Sequence, residues 1–379
     1  MDDKARIHAQ HSQLCGWLLD AAYPLWSTKG VDPKGGFFER LGQDGKPFAE
    51  PRRSRVTPRQ AFCFAMGPSM GWKGDAAGLV KHGLDFWFAK FQRPDGLFRT
   101  LINADGSVAD DRAITYDHAF GLLAFHVGAT LGDFRAEREL QAHELLQTVL
   151  KLTRREDGGF ENGVPNSMPL ESNPHMHLFE AMLAGCEVAS EKSLWQSLAD
   201  QIAEFALARF FDKNGLLHEF FGADWQFAEG VKGRIVEPGH QYEWAWLLLR
   251  WAGEKHPKAR AAALKMIEVT EAHCVRDGLA LQQVLDDFSP HDASARLWPQ
   301  TERLKAGALA ARLTGEAKYF AMTASAADAL QRYLATPIPG LWYDRIDANG
   351  KLVEEPAPAS SFYHMVVAVA EISALARLA

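Results

Sequence analysis

A glycine followed by an aromatic residue, a leucine or a second glycine recurs through the chain, at Gly35, Gly96, Gly158, Gly215, Gly278 and Gly340. The interval is about 60 residues, which marks a repeat architecture. Each unit reads as a helix, a long loop carrying the glycine, and a second helix. Apolar periodicity places the first helices at Ala5–Trp26, Ala76–Phe91, Phe134–Leu152, Leu194–Phe210, Lys258–Cys274 and Tyr319–Tyr333. The second helices begin near Pro58, Tyr116, Pro174, Gly239, Pro299 and Ser361. Turns such as Gln43-Asp-Gly-Lys46, Asn103-Ala-Asp-Gly106 and Asp347-Ala-Asn-Gly350 predict short β-hairpins inside the loops.

Short links, such as Gly71–Asp75 and Gly253–Pro257, make successive helices antiparallel neighbours, and the second helix of each unit is the more apolar. About six hairpins closing into a ring, apolar helices inside, give an all-α (α/α)6 barrel with long loops and short β-hairpins at one end. An open solenoid is the rival, but its repeats are usually shorter and carry no long loop in every unit. No linker interrupts residues 1–379, so one barrel domain is expected.

Composition removes several function classes. A net charge of -7 without a dense Lys/Arg run gives no footprint for nucleic acid. Arg52, Arg53 and Arg55 form only a short basic cluster, read as a solvated loop. Cys15, Cys63, Cys186 and Cys274 are far apart within apolar patterns, as buried free thiols of a reducing compartment would be. The N-terminus lacks the apolar core of a signal peptide, and no run is long enough to cross a bilayer. A cytoplasmic protein with no membrane partner is expected; a homodimer is left open.

The chemistry falls at one register of the repeat. Arg59, His118, His177, His240, Glu302 and His364 stand at the starts of the second helices, 59 to 63 residues apart. A buried helix start is an expensive place for an ionisable group. Each one alone could be a cap or a core histidine satisfied by a neighbour. In a closed ring, all six would face one crevice at the same end of the barrel. Tyr116-Asp117-His118, Asn173-Pro-His175-Met-His177 and Trp298-Pro-Gln-Thr-Glu302 add further candidates, and Glu243 can accept from the His240 ring or bind a substrate hydroxyl. Asp286, Asp287, His291 and Asp292 read as groups that fix a loop.

A shared metal at His175-x-His177 is not expected, because residues i and i+2 of a helix point apart. No acid-rich octahedral set stands out, and no nucleotide-binding glycine loop or nucleophile elbow is present. Histidines suit proton transfer near neutral pH, and an arginine suits an enediolate oxygen. That set favours aldose–ketose isomerisation or 2-epimerisation. A glycosidase would need a carboxyl pair, with Asp117, Glu243 and Glu302 as members.

Six motifs in order carry a family resemblance: Pro58-Arg-Gln60, Tyr116-Asp-His-Ala-Phe120, Asn173–Glu180, Gly239–Leu248, Leu297–Glu302 and Tyr363-His364. The chain resembles the N-acylglucosamine 2-epimerase family over its whole length. That family has an (α/α)6 barrel and includes mannose isomerases, a sulfosugar isomerase, cellobiose 2-epimerases and N-acylglucosamine 2-epimerases. Glu237-Pro-Gly-His240-Gln-Tyr-Glu243-Trp-Ala-Trp246 is most similar to the mannose isomerase branch. The glycine-rich nucleotide-binding segment of the animal N-acylglucosamine epimerases has no counterpart.

The resemblance implies His240 and His364 as the acid/base pair, with Arg59 and His177 on the substrate oxygens. Glu243 and Glu302 would support the histidines or bind hydroxyls, Trp298 would pack on the sugar, and Asn173 would touch it. Tyr116, Asp117 and His118 complete the expected substrate shell. No metal and no redox cofactor are implied. The expected reaction is D-mannose to D-fructose through a cis-enediolate, with 2-epimerisation (of mannose/glucose, cellobiose or an N-acylglucosamine) and glycoside hydrolysis as alternatives. A sugar phosphate stays open, but one clear arginine and no lysine favour a neutral sugar.

Overall fold

A computed structural model describes residues 2–378, so Met1 and Ala379, the ends of the expected domain, lie outside the described residues. Among the described residues, twelve long helices alternate between an outer and an inner ring. The outer helices are α1 (Asp3–Trp17, running on through a π-turn to Trp26), α3 (Ala76–Phe91), α5 (Arg135–Thr153), α7 (Ser193–Arg209), α9 (Pro257–His273) and α11 (Ala317–Leu334). The inner helices are α2 (Val56–Met70), α4 (Thr115–Gly128), α6 (Asn173–Val188), α8 (Pro238–Ala252), α10 (Leu297–Thr314) and α12 (Ser360–Ala376).

Each inner helix packs on the next, and α12 packs back on α2, closing the ring. The inner helices are buried nearly all round, as their unbroken apolar runs require. In α8 every residue from Pro238 to Leu249 is buried. The outer helices bury one stripe only, for example Ala76, Val80, Leu84, Trp87 and Phe91 of α3.

The six repeat glycines all adopt positive φ, and the apolar residues just after them are buried or nearly so. The first turn of an inner helix grips several of these turns. The Phe98 amide donates to His118 Nε2 at 2.8 Å and the Phe160 amide to His175 Nε2 at 2.9 Å. The Leu217 and Ala280 amides donate to the side-chain carbonyls of Gln241 and Gln300 in the same way.

The loops do contain short hairpins, such as Leu101–Ile102 with Val108–Asp110, but most strand pairing runs between loops. Arg52–Arg53 pairs with Leu101–Ile102, Ala113–Ile114 with Gly163–Val164, and Leu170–Glu171 with Phe220–Phe221. Ile235–Val236 pairs with Val284–Leu285, Ala295–Arg296 with Arg345–Ile346, and Ala357–Pro358 returns to Arg40–Leu41. Each loop is thus tied to the next and the last to the first, on the face where the inner helices begin. Hairpin signals in the sequence carry no information about these pairings between loops.

All four cysteines are unpaired; Cys63 and Cys274 are buried and the other two only half so. Among the described residues no helix is long and apolar enough to cross a membrane.

Two glycines separate backbone strain from collision. Gly278 sits at φ +78° with open space where a Cβ would go, whereas at Gly340, φ +95°, a Cβ would lie 2.6 Å from the Ala21 carbonyl oxygen. Gly278→Ala should cost about 1–2 kcal/mol, the price of a left-handed alanine. Gly340→Ala should cost clearly more, because backbone must move; urea denaturation of the two variants measures the difference.

Candidate active site

A cavity of about 560 Å³ opens on the loop face, over the starts of the inner helices. Of the eleven expected site residues, Arg59, Tyr116, Asn173, His177, His240, Glu243, Trp298 and His364 line it. They come from α2, α4, α6, α8, α10 and α12, so each inner helix contributes.

His240 and His364 both flank Trp298, with ring centroids 5.1 and 5.8 Å from the indole. Their other neighbours differ. His240 Nδ1 lies 2.9 Å from Glu219 and 3.5 Å from Glu237. Burial alone would lower its pKa, but the two carboxylates outweigh burial and raise it to about 10. His240 is therefore an imidazolium at neutral pH, with Nδ1–H given to Glu219. His364 Nδ1 lies 2.8 Å from Glu302 Oε1. Burial, then the Arg59 and Lys305 cations, push His364 well below the usual histidine range. One ring is charged and the other neutral, over the same tryptophan.

Arg59 gives one N–H to the Ser360 carbonyl at 3.1 Å and another to the Tyr116 hydroxyl at 2.5 Å, while its buried Nε has no protein partner. Its guanidinium sits 4.0 Å from the Phe120 ring centroid. His177 Nδ1 lies 3.2 Å from Glu180, and burial lowers its pKa against the pull of Glu243 and Glu180. Glu243 is fully buried at the cavity floor, and neither carboxylate oxygen meets a donor. The Asn173 side-chain carbonyl is also unpartnered. Orphaned buried acceptors and an orphaned arginine donor form a polar template for a ligand rich in hydroxyls.

Three expected substrate contacts lie elsewhere. His118 faces away, with Nε2 taking the Phe98 amide and Nδ1–H giving to the Ile114 carbonyl at 2.7 Å. It matches His175 of α6, which holds Phe160 and the Glu171 carbonyl and whose pKa burial lowers to about 3. The spacing of 59 aligned His118 with His177, but its structural counterpart is 57 residues on, because the loops differ in length. Asp117 is fully buried under Arg55, at 2.9 Å, and takes the Thr100 hydroxyl at 2.7 Å. Glu302 is buried behind His364 and does not reach the cavity. Of the carboxyl trio considered for hydrolysis, only Glu243 lines the cavity. Glu243 does not accept from the His240 ring, one of the two roles expected of it; Glu219 and Glu237 take that place.

Several groups at the cavity are not among the expected residues. Glu219 follows a repeat glycine, within a loop whose path the sequence leaves open. Arg53, Arg55, Arg112 and Arg296 line the cavity together with Arg59. The basic cluster read as a solvated loop is therefore a wall of the site, because pairing of Arg52–Arg53 with Leu101–Ile102 carries it onto the rim. Arg52 itself turns away, ion-paired to Asp32 and bonded to the Gly35 carbonyl. Asp286 and Asp287 do fix a loop, through Arg234.

An acid-rich set also exists, although the sequence did not show one. Glu180, Glu243 and Glu302, with His177 and His364, bring ligand-type atoms within 4.8 Å in two buried triads. Lys305 supplies the cation there, 2.5 Å from Glu302 and 3.8 Å from Glu243. We read these residues as an ion-pair network around that ammonium, not as metal ligands.

The N-acylglucosamine 2-epimerase (GlcNAc 2-epimerase) family profile matches residues 36–368. The chain belongs to this family. It is an enzyme of the sugar isomerase and epimerase type. A mannose-6-phosphate isomerase of Rhizobium meliloti is 45% identical over 376 residues, covering 97% of each chain. A D-mannose isomerase of Thermobifida fusca is 27% identical, over 87% of this chain and 89% of its own. A crystal structure of a D-mannose isomerase superposes with a TM-score of 0.87 at 20% identity, covering 94% of this chain and 96% of the other. That likeness, together with the closed helical ring, makes the fold an (α/α)6 barrel.

His118→Ala separates anchoring from chemistry. It leaves the buried Phe98 amide unpaired, which should cost about 1–3 kcal/mol. Thermal denaturation should show that loss, while turnover per folded molecule stays near wild type.

Proposed function

We propose that the enzyme is an aldose–ketose isomerase interconverting a mannose-configured and a fructose-configured hexose, with the sugar carried as its 6-phosphate. The observation that carries the reaction type is the pair of histidines on Trp298, one held charged and the other neutral. A 1,2-proton shift needs one acid and one base within reach of the same two carbons.

With the open-chain aldose in the cavity, neutral His364 takes the C2 proton through Nε2, and the electron pair forms the C1–C2 double bond. His240 gives its Nε2 proton to O1, so a cis-enediol forms and His240 becomes neutral. Arg59, with Tyr116, stabilises the oxygens as their charge grows. His240 then takes the O2 proton, and His364 returns its proton to C1. The product is the 2-ketose, and both histidines regain their starting states. Trp298 supplies the apolar face for the sugar, and Glu243 and Asn173 accept from its hydroxyls.

The phosphate rests on the arginines. Arg55 spends one N–H on Asp117, and Arg53 spends its Nε–H and one NH2 hydrogen on Glu39. Both keep donors free for an anion, and Arg112 stands beside them. The 45% identical relative is a mannose-6-phosphate isomerase. A second reading, the unphosphorylated hexose, draws on the D-mannose isomerases among the relatives. Returning the proton to the opposite face of C2 would give 2-epimerisation on the same residues.

Incubation with mannose 6-phosphate and with mannose in deuterated water decides among these. The proposal expects fructose 6-phosphate labelled at C1, with mannose a poorer substrate by at least tenfold in kcat/KM. Label at C2 of glucose 6-phosphate would make the enzyme an epimerase, and a preference for mannose would remove the phosphate. Arg55→Met should raise KM for the phosphate ester at least tenfold and leave kcat/KM for mannose nearly unchanged. EDTA should leave activity intact, since Lys305 holds the place of a cation.

The charge on His240 also fixes a pH limb. Its raised pKa keeps the acid form below about 10, so activity should fall as pH rises through that value. Glu219→Gln removes one of the two carboxylates and should move this alkaline limb down towards neutrality; an unmoved limb would take the acid role from His240.

A further inference from the structure

Lys305 has no contact with the cavity and no exposed surface. Its ammonium lies among the inner helices, 2.5 Å from Glu302 Oε2 and 3.8 Å from Glu243 Oε1. The Trp246 ring centroid is 3.9 Å away and that of Tyr363 is 5.9 Å away. A fully buried ammonium is costly unless it is paired, and pairing explains why it is tolerated without saying what it does. The mechanism above uses His364 and never touches Lys305.

Glu302 joins the two. One of its oxygens meets Lys305 and the other meets His364 Nδ1 at 2.8 Å. The hydrogen in that second contact has two places to be. If Glu302 is a carboxylate, His364 Nδ1 carries the hydrogen and Nε2 offers a lone pair. If Glu302 is a carboxylic acid, it donates to Nδ1, the hydrogen of the neutral ring moves to Nε2, and the base is gone.

The surrounding charges compete over this choice. Glu180 and His177 of α6, Glu243 of α8, and Tyr363 and His364 of α12 face the Glu302–Lys305 pair, and Arg59 and Arg296 act on His364 from farther out. Burial and the Glu243 carboxylate push Glu302 well above the usual carboxylate range, and the Lys305 ammonium, 2.5 Å from Oε2, is the group placed to hold it ionised against them. Lys305 itself stays charged, because Glu302, Glu243 and Glu180 outweigh its burial. Tyr363 gives its hydroxyl hydrogen to Glu180, so it is not available to Glu302.

We propose that Lys305 is a positioning residue that holds Glu302 as a carboxylate and so fixes His364 with its hydrogen on Nδ1 and its Nε2 free to act as the base. The activity readout rests on the isomerase reading of the site; the tautomer of His364 does not. The same device explains how two histidines over one tryptophan take opposite roles. His240 is charged by two carboxylates, whereas His364 faces one carboxylate that a lysine has already neutralised.

Two measurements test it. In wild-type enzyme labelled with nitrogen-15 at histidine, the His364 signals, assigned by their loss in His364→Asn, should report hydrogen on Nδ1 at neutral pH. Hydrogen on Nε2 overturns the proposal, whether or not any sugar turns over. In Lys305→Met and Lys305→Gln, the acidic limb of the kcat profile should move up by at least one pH unit, so that kcat on the acid side of the wild-type limb falls at least tenfold and recovers at higher pH. In Glu302→Gln, which cannot protonate, adding Lys305→Met should move the limb by clearly less than it does with Glu302 present, only the direct pull of Lys305 on His364 being left. A Lys305 variant that folds and loses activity equally at every pH has lost packing only, and the proposal fails. If neither variant folds, the wild-type tautomer decides.

Discussion

An inner helix of a closed helical ring has no side that faces water, so each charge it carries must find its partner inside the protein. This constraint organises the molecule. Twelve helices bury a continuous apolar core, and the ionisable groups of the inner six gather at their loop-side ends, where partners and a cavity are available. Charges deeper on the axis survive only in a mutual network: Lys305 with Glu302 and Glu243, and Glu180 with His177 and Tyr363. The network is also the floor of the site. Its members are packed on all sides, so the histidine rings above them are held by groups that cannot relax into solvent.

The same residue type does opposite work at two points of the ring because of what stands behind it. Behind His240 are the carboxylates of Glu219 and Glu237. Behind His364 is one carboxylate whose charge is already shared with a lysine. Neither environment comes from the helix that carries the histidine alone. Glu219 belongs to a loop, and Glu302 and Lys305 belong to the neighbouring inner helix. The barrel sets which ring is charged and which is neutral by the neighbours it brings from other elements.

Most of the architecture was legible because the repeat is written in glycine and apolar pattern, both local signals. Helix starts fell within a few residues of those observed, and the period located the cavity. The period also produced the clearest miss. His118 and His177 share a spacing, but His118 anchors a turn as His175 does, since loop length and not helix register absorbs differences between units. The arginines on the rim and Glu219 were hidden for another reason. Their position depends on which loop pairs with which, and a strand of two residues leaves no trace in composition. Lys305 read as one more charge on an apolar helix, because Glu243, Glu180, Trp246 and Tyr363, which explain it together with Glu302, come from other helices.

The pairing of the last loop with the first has a consequence for how the protein is made. Ala357–Pro358 lies against Arg40–Leu41, Gln60 donates to the Ala359 carbonyl, and Arg59 to that of Ser360. These contacts join segments about 300 residues apart in sequence, and they bring His364 to the other groups that line the cavity. A nascent chain leaving the ribosome can stack its hairpins in order, yet it stays an open crescent until α12 arrives. The Arg59 guanidinium, the inner charges and the apolar seam of α2 remain uncovered while the intervening segments, about 300 residues, are made. Such a chain depends on a holding chaperone until then, or on fast closure once α12 has been made.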